Sequence, residues 1–217
     1  MVHLGLGDSY SLFSQAINQT EFYLNDIYDQ FGRLMIDSFG INDSSKIDLR
    51  LGCFWLDGFY SPNGLGVNMD YLEEKVNCCE DCFNEWLDTR GFVLAHEIAH
   101  HYHYLVNPDL FHEDIRDLRD VDFYSDFLAE LSAMHFFNKI GKLNSSILTY
   151  SQIVDYSYSS FMYFKDNKLD LDKQIFNLSR FNENEAKSFL RDYDLSKKIL
   201  CYMDRDIFLG MCVHEEI

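Results

Sequence analysis

Proline is scarce in this sequence, and basic side chains are few beside the acidic ones. Its 217 residues include only 2 prolines, and with 47% hydrophobic and 16% aromatic residues the composition excludes a disordered chain. Lys and Arg number 18 against 36 Asp and Glu, for a formal charge of −18. Such a chain lacks the Lys and Arg clusters that grip a phosphate backbone, so no direct nucleic-acid binding is expected. The same imbalance admits a basic partner, or an acidic surface that imitates nucleic acid. No run approaches the roughly 18 apolar residues of a membrane-spanning helix, and Met1 to Phe13 has neither a basic n-region nor an apolar h-region. No membrane contact is expected, and the expected location is intracellular, in the cytoplasm. Phosphate-binding glycine patterns are missing too, since Gly5-Leu6-Gly7 lacks a third glycine and a preceding strand. There is no internal repeat and no low-complexity segment, and the length suits one domain over residues 1–217. The 6 cysteines include Cys79-Glu80-Asp81-Cys82, a lone CxxC without a second CxxC or a paired His. Without a secretory signal they read as reduced thiols, a structural zinc shared with Cys53 being the lesser alternative.

What is present centres on His96-Glu97-Ile98-Ala99-His100, inside the apolar run Gly91 to Val106. On a helix, residues four apart lie on one face, so His96 and His100 aim two imidazoles at one spot. Neutral imidazole is a preferred ligand of Zn2+, and Glu97 can reach a water at the same ion. This is the HExxH pattern of two ligands and one general base. The plainer alternative is a buried helix with satisfied histidines.

Around that stretch, Leu12, Ala16, Ile17, Leu24, Ile27, Phe31, Leu34 and Met35 recur at helical spacing, which predicts one long helix or two from Ser9 to Phe39, ending near Gly40. A polar loop, Asn42 to Lys46, follows. Ile47 to Cys53 alternates apolar and polar residues, the period of a half-buried strand, and Leu65 to Met69 does so again. Between them, Asp57-Gly58 and Ser61-Pro62-Asn63-Gly64 are turn chemistry. The HEIAH helix is expected over Glu85 to Val106, stopped by Asn107-Pro108 because a residue before proline is pushed out of helical geometry. After an acidic loop, Asp109 to Asp120, a buried helix is expected from about Asp122 to Ile140, closed by Gly141. Further helices are expected over Ser145 to Phe164 and Glu183 to Val213, joined by a polar stretch from Lys165 to Asn184.

The order of strand, short strand, HExxH helix, loop and second helix resembles the zincin metallopeptidases, over about residues 46–140. The fold class implied is α+β and mostly helical: a small zincin-like core with helical extensions at 1–45 and 141–217. In that family the short strand is the sheet edge that holds the substrate backbone. By resemblance Gly64, Leu65, Gly66, Val67, Asn68 and Met69 are the candidate substrate-binding edge for a protein or peptide.

A catalytic zinc wants a third protein ligand and one open position. The metzincin form, HExxHxxGxxH, fails here, because His103 holds the glycine position and Val106 that of the last histidine. An SprT-like reading would use His112, but the glycine and aromatic that follow in that family are missing. The gluzincin form takes its third ligand from a second helix, in a motif like E-x-x-A-D or E-x-x-A-E. Asp126-Phe127-Leu128-Ala129-Glu130 is similar to it, with Asp in place of the first Glu. In that register Asp126 binds metal and Glu130 orients a zinc histidine from the outer shell. In a shifted register Glu130 is the ligand and Ala133 takes the alanine position.

The resemblance implies metal-assisted hydrolysis of a peptide bond. Glu97 would take a proton from the attacking water and hand it to the leaving amine, with zinc acidifying that water and polarising the carbonyl. A tyrosine such as Tyr150, Tyr156 or Tyr158 could steady the oxyanion. Two rival classes stand beside this one: a zincin-fold binding or regulatory module without turnover, and an acidic interaction protein that mimics DNA.

Overall fold

Leu24, Ile27, Phe31, Met35 and Phe39, spaced three or four residues apart, form the buried stripe of helix α1 (Leu6–Phe39). The structure is a computed structural model, and it describes residues 6–40, 47–61, 63–108, 118–150, 154–182, 184–186 and 188. Helix α1 stops at Gly40, whose left-handed φ of +64° is one that glycine adopts without a Cβ penalty. The architecture is α+β and mostly helical, with one small sheet among the described residues.

That sheet has three strands, β1 (Leu49–Gly52), β2 (Gly58–Ser61) and β3 (Gly64–Asn68), in the order β1-β3-β2. Strand β1 runs parallel to β3, with Leu49 opposite Leu65, and β2 runs antiparallel to β3, with Tyr60 opposite Leu65. Two of these strands match the alternation in the sequence. Strand β2 occupies the segment between the two turn signals and was not expected.

This order corrects one expectation. Strand β3 is central and buried along its whole length, so Gly64, Leu65, Gly66, Val67, Asn68 and Met69 do not form a free edge. The Leu65 amide donates to the Asp48 carbonyl, that of Asn68 to Asp57, and that of Met69 to Gly52. Among the described residues, the outer side of β2, the edge strand that packs beside the histidine-bearing helix, has no strand partner.

Helix α2 (Leu72–Cys78) leads into α3 (Glu80–Val106), which starts earlier than expected and ends at Asn107-Pro108. Phe92, Val93, Leu94, Ala95, Ile98 and Ala99 are all buried on α3, between α1 and α4 (Leu118–Lys139). On α4 every residue from Phe127 to Phe137 is buried, as its apolar content on several sides predicts. The buried guanidinium of Arg90 on α3 donates to Asp57 Oδ1 (2.9 Å) and to the Asn68 carbonyl (3.2 Å). It thereby pins the start of β2 and the end of β3 to the helix that carries the histidines.

The expected Ser145 to Phe164 helix is divided into α5 (Ser145–Tyr150) and α6 (Val154–Asp166). The stretch expected to be a polar connector contains α7 (Leu171–Ser179), capped by Asp170, whose side chain accepts from the Lys173 amide. Helix α7 docks through buried Ile175 and Leu178 and through Asp172, which meets His135 Nε2 at 2.9 Å and Lys139 Nζ at 2.7 Å. No helix among the described residues is long and apolar enough to cross a membrane. The loop Asn42 to Lys46, residues 109–117 of the expected Asp109 to Asp120 loop, and nearly all of the expected Glu183 to Val213 helix lie outside the described residues, while residues 118–120 of that loop already belong to α4.

Candidate metal centre

His96 and His100 occupy successive turns of α3, and Asp126 faces them from α4. The three donor atoms converge. His96 Nε2 lies 2.9 Å from His100 Nε2, His100 Nε2 lies 3.2 Å from Asp126 Oδ1, and His96 Nε2 lies 3.8 Å from it. A tetrahedral zinc with bonds of about 2.0–2.1 Å to N and O spaces its ligands by about 3.3–3.4 Å. The three separations scatter about that value, so the donor set fits such an ion in chemistry and in size. Two of the donors are imidazole and one is carboxylate, the mixture zinc takes at hydrolytic centres.

The surroundings explain why these atoms point inward. His100 Nδ1 sits 2.9 Å from Ser125 Oγ, which fixes the ring and leaves Nε2 as the nitrogen facing the cluster. Tyr60 of β2 stacks on His100, with ring centroids 6.4 Å apart. The imidazoles are largely covered, with side-chain exposures of 19% and 12%, whereas Asp126 at 44% opens the cluster to solvent. Among the described residues no Lys or Arg pairs with Asp126 or Glu97, so the carboxylates here are not neutralised by a side-chain ammonium or guanidinium.

Glu97 is buried beside the cluster and against β2. A Cβ on Gly58 would fall 2.5 Å from Val93 Cγ1 and 2.6 Å from Glu97 Oε1, so only glycine lets the strand pass this close. Burial pushes the Glu97 carboxyl up to about 7, with His96 opposing and Asp126 adding to the rise. Burial also acts to raise Asp126, but hydrogen bonds and attraction from His100 and His96 outweigh it and hold that carboxyl well below the ordinary range. Tyr60 is pushed up to about 12, chiefly by burial, and so keeps its phenolic proton near neutrality.

The other candidate and neighbouring positions sort clearly. Glu130 is buried one turn along α4 and stays outside the converging group, so the register with Asp126 at the donor position matches the geometry better than the shifted one. His103 is buried against Phe39 and is not one of the converging donors, and neither ring nitrogen has a hydrogen-bond partner among the described residues. His101 faces Tyr60, whose hydroxyl lies 3.4 Å from its Nδ1. Tyr158 packs against the core, and the side chains of Tyr150 and Tyr156 lie outside the description, as does His112. Sequence reasoning missed Ser125 and Tyr60. Ser125 directly precedes Asp126 and could have been sought as a partner for a ligand imidazole; Tyr60 carries no local signal.

No protein-family model, curated protein or solved structure matches the chain.

Proposed function

We propose that this chain is a zinc-dependent peptidase with a zincin-like core of gluzincin type, acting on a peptide bond of a protein substrate. The observation that carries the reading is the convergence of His96 Nε2, His100 Nε2 and Asp126 Oδ1 from two helices, with the buried Glu97 carboxylate alongside. His96, His100 and Asp126 would hold the ion, Ser125 would orient His100, and Glu130 would contribute from the protein interior. When bound, zinc supplies a Lewis acid for the scissile carbonyl and lowers the pKa of water.

The remaining chemistry belongs to the chain. Glu97 takes the proton from the attacking water and delivers it to the leaving amine; a carboxyl in a water-poor pocket is suited to holding a proton between those events. The solvent-facing side of Asp126 leaves a path by which substrate arrives. The outer side of β2, from Gly58 to Ser61, offers backbone groups next to Glu97, so an extended peptide added there would lie across the cluster. Tyr60, protonated and stacked on His100, would supply the hydroxyl that donates to an oxyanion.

The test compares wild type with Glu97→Gln for metal content and for substrate cleavage, read as fragments by mass spectrometry. The expected result is about one zinc per chain in both proteins, with cleavage in Glu97→Gln down by roughly 10²–10⁴-fold. Zinc retained without any cleavage that depends on Glu97 would make the chain a metal-bearing binding module instead.

A further inference from the structure

The connection between α2 and α3 gathers three thiols within five residues. Cys78 ends α2, Cys79 is the N-cap of α3, and Cys82 lies in the first turn of α3. Cys79 has extended backbone geometry, and its Sγ accepts the Cys82 amide N–H at 3.1 Å. The Cys82 sulfur lies 2.6 Å from that of Cys79 and 3.0 Å from that of Cys78. The first separation is only about 0.5 Å longer than a disulfide bond. Cys78 and Cys79 are exposed, while Cys82 is partly covered.

These sulfurs are spaced unlike the histidine cluster. Thiolates around a tetrahedral zinc, with bonds of about 2.3 Å, stand about 3.8 Å apart. Here the Cys82 sulfur is far closer than that to both of the others, and among the described residues no fourth donor joins them. Close approach of an N-cap thiol to a second thiol one turn on is instead the geometry of dithiol exchange.

We propose that Cys79 and Cys82 form a thiol–disulfide exchange site, with Cys79 as the attacking sulfur, Cys82 as the resolving sulfur and a low-molecular-weight disulfide as oxidant. The two sulfurs are differentiated for these roles. The close Cys82 sulfur and then the Cys82 amide N–H hold Cys79 below the ordinary thiol range, and the positive end of α3 acts in the same sense. Cys82 is pushed up, first by Cys78 and then by Cys79, and keeps its proton until it is needed.

In the first step the Cys79 thiolate attacks one sulfur of the oxidant RSSR. A Cys79–SR bond forms, the S–S bond of RSSR breaks, and RS⁻ leaves with the electron pair. Cys82 then loses its proton to RS⁻ or solvent and attacks the Cys79 sulfur, forming the Cys79–Cys82 disulfide and expelling the second RS⁻. Two protein thiols are oxidised, one disulfide is reduced to two thiols, and the two protons lost by the cysteines end on the released RSH. Excess reduced thiol runs the sequence backwards.

Oxidised glutathione serves as the probe, on the full chain after reduction and desalting. The peptide spanning residues 76–90 is followed by mass spectrometry, with Cys53 as an exposed comparison thiol raised by its bond to Asp70. Wild type should lose two hydrogens in that peptide and regain them in reduced glutathione. Cys82→Ser should accumulate glutathione on Cys79, several-fold faster than on Cys53. Cys79→Ser, which preserves a good helix cap, should form neither product quickly, and Cys78→Ser should behave like wild type. Equal modification of Cys79 and Cys53 in Cys82→Ser would overturn the proposal. So would a metal ion, bound one per chain and lost in Cys79→Ser but not in His96→Ala, that shields these thiols; that outcome leaves the peptidase reading untouched.

Discussion

Helix α4 contributes to two acid–imidazole clusters that are completed in different ways. Asp126 meets His96 and His100, while His135, nine residues on and so on the opposite face, meets Asp172 of α7. The second cluster carries its own cation: Lys139 Nζ lies 2.7 Å from Asp172, and Ser38 Oγ donates to the same carboxylate at 3.3 Å. Its charges are balanced by side chains, and its effect is to fasten α7 to α1 and α4. The first cluster has two imidazole nitrogens facing each other and a carboxylate, with no Lys or Arg among the described residues to balance it. Only a proton between the rings or a bound cation reconciles those atoms. Identical residue types thus make a structural staple where a lysine is supplied and a candidate metal centre where it is withheld.

The largest effect should come from exchanging the roles of the two acids. Asp126→Ala is expected to abolish zinc retention, while Asp172→Ala keeps about one zinc per chain but loses roughly 1–3 kcal/mol of stability in urea unfolding, because His135 and Lys139 lose their partner. Elemental analysis of both variants decides it. Zinc retained by Asp126→Ala but lost from Glu130→Ala would move the third ligand one turn along α4.

A smaller effect is expected one atom further out. Ser125→Ala removes the partner of His100 Nδ1, and zinc affinity should fall by about 10- to 100-fold with the fold unchanged. A competition titration with a chelator measures this, and an unchanged affinity would show that Ser125 does not orient the ring.

The smallest is a pH effect at the staple. Burial lowers the His135 pKa more than Asp172 restores it, so the folded ring is neutral where the unfolded one begins to protonate. The contribution is therefore full above the unfolded value of about 6.5 and declines as pH falls through it towards the folded value. Asp172, which burial raises but Lys139 and then His135 lower on balance, adds a loss at more acid pH, below about 4. Unfolding midpoints of wild type and His135→Gln, measured between pH 8 and pH 5, should converge on the acid side. Parallel curves would mean that His135 is not held neutral.

Much of this was legible in order along the chain, because the signals are local. Periodic apolar residues and Gly40 mark α1, Asn107-Pro108 marks the end of α3, and the four-residue spacing of His96 and His100 places both rings on one face whatever surrounds them. The acidic pair of α4 could also be found from its spacing and its apolar neighbours. Strand β2 and helix α7 could not. Gly58 to Ser61 is flanked by turn residues and becomes a strand only because β3 offers it a partner. Leu171 to Ser179 is a short segment inside a polar stretch, and it is held by Ile175 and Leu178 entering the core and by Asp172 reaching a histidine and a lysine on another helix.

The sequence by itself determined the helix, the two imidazoles on its one face and the Glu97 carboxylate beside them, since 3.6 residues per turn suffices for that. The tertiary structure decided the rest. It placed Asp126 rather than Glu130 against the histidines, because the packing of α3 on α4 selects one face of the second helix. It moved the open sheet edge from Gly64–Met69 to Gly58–Ser61, because which strand is central depends on pairings between segments that no local pattern records.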